Sequence, residues 1–413
     1  SPQVGLSTRL DGHDSSKSNE QAGCSEYSVT LDKWDIDCAF TCTENASIYK
    51  FRYPQSDEAS LLIDMAHNNG ENNNRGHHTG LYNASSDIQI QVGTDEKDQT
   101  VLFGSGYYEG GWGQPHEVYF YAVTSKKPRE TGIYDAAGTH PGENKAGPAS
   151  ITSEEQRLAG LGAYLLFDTQ PDEEISVKVG MSFKSVDQAK RYLDNEIPAW
   201  DYESVKETTD RMWNDELNRI VIADESLTEE QKTIFYTAMY HTMVMPRYRT
   251  GDIEGYGDEV MLDDHFAGWD TFRTVMPLHT LIRPQFTADV INSFITRYKK
   301  NGYVRDSMTG GRDMYEQQGG DNVDVMISDA YAKLKDTDCG VDWNEAYEVV
   351  RNHADNYRLS WQGKDNAFAD NVVPDPDASY RSLGYIPGDD PLERIMCCNY
   401  TLDYAYNDFC AAL

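Results

Sequence analysis

The hydrophobic periodicity of the chain changes near residue 185, and this change limits the folds that the chain can adopt. Before it, apolar residues alternate with polar ones, as in residues 61–65, 88–92, 118–122 and 175–183, and polar turns separate these runs. Alternation is typical of strands with one buried face, and several such strands at short spacing indicate an antiparallel arrangement. The first part of the chain is therefore predicted to be a β-sandwich.

After residue 185 the apolar residues recur with the period of a helix. Ser185 and Gln188, and again Thr228 and Gln231, have the spacing of a capping box at a helix start. Thr287 is predicted to cap a further helix, and other helices are expected at 322–334, 342–357 and 400–412. The pattern predicts a multidomain β + α protein: an N-terminal antiparallel β-sandwich over residues 1–184, a helical linker over 185–225, and a helical domain over 226–413.

Composition and charge exclude several classes of function. The 413 residues carry a formal net charge of −33, which would repel nucleic acid phosphates and anionic membranes. The sequence has no apolar run long enough to span a bilayer and no signal peptide at its N-terminus. Seven cysteines are present, but without a C-x-x-C pair a zinc site is not predicted. Because the helical pattern continues to Leu413 without a stop signal, we expect the chain to be a fragment.

One stretch combines an indole, a carboxylate and a guanidinium, and it reads HFAGWDTFRTVMPLHTLIRP from residue 265. A carboxylate such as Asp270 can accept hydrogen bonds from sugar hydroxyls, and an indole such as Trp269 can stack on a sugar ring. Arg273 can hold the carboxylate in place. The alternative is a buried pair of Asp270 and Arg273 that joins two helices, and the pattern alone favours this alternative.

Two other stretches are weaker candidates. Residues 310–334 contain two glycine pairs around a polar, acidic loop that leads into a helix near Asn322, and such loops often hold ligands. Asp329, inside that helix, is interpreted as a cap or packing partner. The neighbouring His77 and His78 lack further metal ligands at a suitable spacing, so a solvated loop is expected there.

The motifs also carry a resemblance to a known family. GWDTFRTVMPLHTLIRP resembles the W-D-T-[FY]-R-x-x-x-P-L-x-x-L-x-x-P signature of glycoside hydrolase family 92. Further pieces resemble that family in the same order, and these are EQAGCSEYSVTL, the segment from KVGMSF to DELNRI, DVMISDAYAKL and TLDYAYNDFCAA. The resemblance covers nearly the whole chain.

The resemblance implies a fold and an activity. Members are exo-acting, calcium-dependent α-mannosidases that invert configuration, with a β-sandwich, helical linkers and an (α/α)6 barrel. It implies that residues 226–413 are the first part of the barrel. The expected substrate is a terminal α-linked mannose, with the α-1,2 linkage favoured, in N-glycan or mannan-type glycans. Such glycans imply a secreted, periplasmic or cell-surface enzyme.

The resemblance also assigns residues to the site. Asp270 matches an aspartate that contacts the terminal mannose, and Trp269 and Arg273 match its neighbours as substrate-binding candidates. The family's acid, base and calcium-ligand motifs (E-G-N-A-W, G-N-D-x-x-G and G-N-E-P-S-H) do not occur in this sequence. Catalytic residues and Ca²⁺ ligands are therefore expected beyond Leu413, and this fragment is expected to be inactive alone. Cys24, Ser25 and Gly268 depart from the family pattern.

Two other functions stay open from the sequence. One is a non-catalytic carbohydrate-binding protein built on the sandwich. The other is a different (α/α)6 glycosidase that acts on glucosides without calcium.

Overall fold

A computed structural model describes residues 1–67, 84–109, 115–265, 268–313, 321–355, 378–388 and 397–413. These residues form two compact units, Ser1–Asn218 and Arg219–Leu413. The histidine pair His77–His78 lies outside the described residues, as does part of the polar loop predicted after residue 310. None of the helices in the described ranges is long and apolar enough to cross a membrane.

The first unit contains two antiparallel sheets, which confirms the predicted sandwich. Five strands pair in the order β1-β6-β13-β10-β11, and nine pair in the order β12-β7-β8-β9-β14-β5-β4-β3-β2. The strands are β1 Pro2–Val4, β2 Lys17–Ala22, β3 Tyr27–Leu31, β4 Ile36–Cys42, β5 Ala46–Tyr53, β6 Ser56–Asp64, β7 Ala84–Thr94, β8 Thr100–Glu109, β9 His116–Thr124, β10 Glu130–Asp135, β11 Gly138–Pro141, β12 Lys145–Ile151, β13 Gly162–Thr169 and β14 Glu173–Ser182.

The alternating residues form the core between the sheets. Ile88, Ile90 and Val92 of β7 are buried there together with Ile175 and Val177 of β14. Burial of alternate residues on paired strands is the main source of stability in such a sandwich. The predicted core face of β14 does not extend to its end, because Met181 is 49% exposed while the core cluster ends at Val179.

Among its described residues, the first unit has three α-helices besides a 3-10 helix at Leu10–Gly12, and two of the three follow the strands. They are α1 Glu154–Ala159, α2 Val186–Glu196 and α3 Tyr202–Leu217. Ala189 and Leu193 of α2 pack on the outer face of the nine-stranded sheet. Ser185 caps α2 by accepting from the Gln188 backbone N–H at 3.1 Å. The second half of the predicted capping box is absent, because the Ser185 N–H donates to the Ser182 hydroxyl instead.

The second unit is helical apart from two short hairpins. Its elements are α4 Glu229–Thr242, β15 Arg247–Tyr248, β16 Leu262–Asp263, α5 Gly268–Thr271, α6 Val275–Ile282, α7 Pro284–Asn301, β17 Met308–Thr309, β18 Arg312–Asp313, α8 Asn322–Leu334, α9 Trp343–Asp355, α10 Ala378–Leu383 and α11 Cys397–Ala412. Thr228 and Gln231 form both halves of the predicted capping box of α4. The helix predicted to begin at Thr287 begins at Pro284, and Thr287 is buried inside it.

The helical core lies among α6, α7, α8, α9 and α11. Its largest contributors include Phe286, Ile291 and Phe294 of α7, which pack against Ile327 of α8 and Val349 of α9. Helix α11 is apolar on two sides. One side buries Tyr400, Tyr404 and Cys410, and the other leaves three large side chains exposed, namely Leu402, Tyr406 and Phe409.

Candidate functional site

The three predicted sugar contacts lie on α5 and directly after it. Helix α5 is a single turn, closed by the Phe272 N–H, which donates to the Gly268 carbonyl at 3.0 Å. Trp269 is 39% exposed, and Asp270 and Arg273 are also exposed. All three side chains are therefore accessible to solvent.

Asp270 and Arg273 do not form the buried pair that the pattern alone favoured. Within the described residues no ion pair joins them, and the Arg273 guanidinium lies instead 4.6 Å from the centre of the Phe272 ring. Phe272 in turn approaches Tyr406 of α11, with ring centroids 6.3 Å apart. The interpretation as a pair that joins two helices is therefore wrong. The carboxylate of Asp270 is left available for a ligand, but Arg273 does not hold it in place.

Asp329 caps no helix in the described part of the chain, and the structure shows it instead in an ion pair on the side of α8. Asp329 lies on α8, is partly buried and forms an ion pair with Lys333 one turn later. Residues 314–320 of the polar loop lie outside the described residues. Before them, Gly310 and Gly311 have φ values of 60° and 75°, a region that glycine adopts without strain, and the Gly311 N–H donates to Asp263 at 2.9 Å.

Behind α5 lies a buried polar cluster that the sequence reading missed. It contains Asp306, Asp321, Asp324 and His353, and each of them is at most 3% exposed. Asp324 of α8 and His353 of α9 are joined by a 2.7 Å contact between Oδ1 and Nδ1. The four residues come from three separate segments, so no spacing in the sequence identifies the cluster.

The cluster changes the pKa values of two of its members. Burial acts to lower the pKa of His353, but the negative charge and hydrogen bond of Asp324 outweigh it and raise that pKa to about 9. Burial and the charge of Asp321 raise the pKa of Asp306 to about 7. A buried histidine and a buried carboxylate in direct contact depend on each other, because removal of either leaves the other without its partner.

Three members of the cluster lie as close together as the ligands of a metal ion do. Asp321, Asp324 and His353 each offer one ligand atom, and these atoms lie within 4.8 Å of one another. Calcium takes six to eight oxygen ligands, whereas this group includes an imidazole nitrogen that already contacts Asp324. The cluster therefore does not fit the Ca²⁺ that the family resemblance implies, and the location of that ion stays a prediction.

The stability of the helical unit is expected to fall as the pH rises from about 4 to about 9. Asp306 has a pKa of about 7 in the folded chain against about 3.9 when unfolded, so its ionisation destabilises the fold as pH rises through this interval. His353 has a folded pKa of about 9 against about 6.5 unfolded. The contribution of His353 to the free energy of unfolding is therefore complete below pH 6.5 and is lost as the pH rises through 9. Urea denaturation at several pH values tests this expectation, and a flat profile above pH 6.5 that His353→Gln leaves unchanged would contradict it.

The fold is a β-sandwich unit followed in the chain by a helical unit, and comparison with known proteins shows that this is the architecture of a family of glycosidases. Residues 4–182 match the model of the glycosyl hydrolase family 92 N-terminal domain, and residues 188–413 match the model of its catalytic domain. Together these matches cover nearly the whole chain. The chain therefore belongs to glycosyl hydrolase family 92, which confirms the resemblance found in the sequence.

Similar proteins are longer than this chain. An uncharacterized secreted glycosidase of Arthroderma benhamiae is 26% identical over 402 residues, which cover 92% of this chain and 44% of the relative. Two solved mannosidases of the family from Bacteroides thetaiotaomicron, one described as inverting, are 24% and 22% identical, with a TM-score of 0.76 for each. Each is matched over 100% of this chain and about half of its own length. These structures support the fold, and the chain spans about half of such relatives.

Proposed function

We propose that this chain is the first part of a longer exo-α-mannosidase that releases terminal α-linked mannose, with the α-1,2 linkage preferred, from N-glycan or mannan-type glycans. The single observation that carries the proposal is the match of both family domains along the chain. The names of the structural neighbours support the substrate, because they are α-mannosidases and one was solved with mannoimidazole. The name of the fungal relative supports secretion, or a periplasmic or cell-surface location.

Asp270 and Trp269 have the chemistry for the substrate-binding role that we propose. An exposed carboxylate can accept hydrogen bonds from two neighbouring sugar hydroxyls, and such charge-assisted bonds are stronger than neutral ones. The partly exposed indole of Trp269 offers an apolar face to a pyranose ring. Arg273 would bind a hydroxyl directly, because the structure shows it against Phe272 and gives it no ion pair with Asp270.

We further propose that hydrolysis is inverting and depends on calcium. Inversion needs a general acid and a general base far enough apart to admit a water molecule. We place both groups, and the ligands of the ion, in the half of the relatives that this chain does not match. Ca²⁺, when bound, would supply coordination of the mannose hydroxyls. This chain alone is then inactive, and the exposed side of α11, with Leu402, Tyr406 and Phe409, is consistent with helices missing beside it.

The test is an assay of the protein encoded by the complete reading frame. With α-1,2-mannobiose, we expect β-mannose as the first product in proton NMR spectra, and activity that is lost with EDTA and restored by Ca²⁺. The 413-residue chain should release no mannose. α-Mannose as the first product would contradict inversion, and activity retained in EDTA would contradict the role of calcium. Hydrolysis of the matching α-1,2-linked glucose disaccharide would favour the glucosidase alternative.

A further inference from the structure

A short segment, Val304 to Met308, passes behind the proposed sugar contacts. It follows α7, and Val304, Asp306 and Met308 within it are at most 3% exposed. Irregular segments usually lie at the surface because their backbone groups need partners. The burial of this one shows that neighbouring elements supply those partners.

The segment is held from two helices. The Arg297 guanidinium of α7 is completely buried and donates to the Arg305 carbonyl at 2.6 Å. The Val304 backbone nitrogen lies 3.4 Å from Nε2 of His353 on α9. The backbone before Asp306 is therefore in contact with both α7 and α9.

Asp306 itself holds the start of α8. Its carboxylate accepts the Val323 N–H at 3.1 Å and the Asn322 side-chain amide at 2.5 Å. The residue directly before the helix, Asp321, makes no side-chain cap. Asp306 therefore supplies from a distance the capping carboxylate that a helix N-terminus prefers.

The opposite side of the same segment supports α5. A Cβ atom placed on Gly268 would lie 3.0 Å from the Asp306 carbonyl oxygen and 3.2 Å from the Asp306 Cβ. Two residues after Asp306, the Met308 N–H donates to the His265 carbonyl at 2.9 Å. The first residue of α5 thus lies directly against Asp306, and a side chain larger than that of glycine would require Asp306 to move by a few tenths of an ångström.

We propose that Asp306 is a positioning residue for substrate binding: by capping α8 and supporting Gly268, it sets the place of Trp269 and Asp270 relative to the helical core. The inference rests on the proposed function, because it assumes that Asp270 contacts mannose. Small displacements of a binding carboxylate have large effects, since misplacement by about 1 Å can cost about a hundredfold in rate.

The experiment compares variants of the complete enzyme with an aryl α-mannoside as substrate. Asp306→Ala is expected to lower kcat/KM at least about tenfold, mainly through a higher KM, at a temperature where the enzyme stays folded. Asp306→Asn keeps an acceptor for the Val323 N–H and the contact with Gly268, and it should retain most of the activity. If Asp306→Ala does not fold, Gly268→Ala tests the same contact from the other side and should also raise KM.

A matched control separates positioning from stability. Asp342 caps α9 by accepting the Asn344 and Glu345 N–H groups at 2.9 and 3.3 Å. Asp342→Ala thus also removes a capping carboxylate from a helix of the same unit. It should lower the melting temperature and leave kcat/KM within twofold of the wild type.

A double-mutant cycle gives the decisive outcome. If Asp306 acts through Asp270, then Asp306→Ala should cause little further loss in a protein that already carries Asp270→Ala. A full additional tenfold loss in that background would overturn the inference, as would unchanged kinetics of folded Asp306→Ala. A wild-type enzyme without activity on mannosides would instead refute the proposed function, and the positioning role with it.

Discussion

Replacement of Asp270 by alanine in the complete enzyme is expected to lower kcat/KM by about a hundredfold or more. Each hydrogen bond to a charged group contributes about 1.5–3 kcal/mol, and every 1.4 kcal/mol is a factor of ten in rate. A carboxylate that accepts two mannose hydroxyls therefore accounts for at least two orders of magnitude. Steady-state kinetics with an α-mannoside measures the effect.

The same substitution should leave stability nearly unchanged. Asp270 is exposed, and exposed substitutions away from caps and ion pairs usually change stability by no more than about 0.5 kcal/mol. A matched control is Asp336→Ala, which removes another exposed carboxylate from the turn after α8. Asp336→Ala should change neither kinetics nor stability. Wild-type turnover in Asp270→Ala would refute the assignment of Asp270 to the substrate site.

Asp324→Ala has the largest expected effect on stability. Asp324 and His353 are both fully buried and lie 2.7 Å apart, so the substitution leaves a buried histidine without the carboxylate that it contacts. Removal of one partner of a buried ion pair lowers the free energy of unfolding by about 3–5 kcal/mol. Because the chain has two compact units, the loss is best measured by hydrogen exchange of the amides of α8 and α9.

An exposed pair on the same helix provides the comparison. Lys333→Ala breaks the ion pair of Lys333 with Asp329, whose side chains are 34% and 29% exposed. Partly solvated pairs contribute about 0–1 kcal/mol. Asp324→Asn keeps an acceptor for His353, so its loss of stability should lie between those of Asp324→Ala and Lys333→Ala. A loss below 1 kcal/mol for Asp324→Ala would mean that the buried pair does not stabilise the contact between α8 and α9.

Local patterns predicted the elements well where one physical cause determines them. Alternation identified the sandwich strands, and the predicted helix 322–334 has the bounds that the structure shows. Thr287 was misplaced because two signals competed. Proline at the first helical turn lacks the N–H that a cap would satisfy, and its φ angle already suits a helix, so α7 begins at Pro284 and Thr287 is buried within it.

The candidate site could be predicted only in part, and the reason is again physical. Trp269, Asp270 and Arg273 are neighbours in sequence, so a motif identifies them. Their surroundings depend on tertiary packing: Arg273 lies against Phe272 rather than Asp270. The cluster of Asp306, Asp321, Asp324 and His353 depends on how α8 and α9 pack, and Asp324 and His353 are 29 positions apart in the sequence.

The buried segment from Val304 to Met308 has a consequence for sequence variation in this part of the fold. Connections between helices usually tolerate insertions and deletions. Here three positions bind different neighbours: the Arg305 carbonyl binds α7, the Asp306 carboxylate binds the start of α8, and the Met308 N–H binds the His265 carbonyl. One added residue would shift all of these contacts at once, so substitutions should be tolerated in this stretch more readily than any change of length.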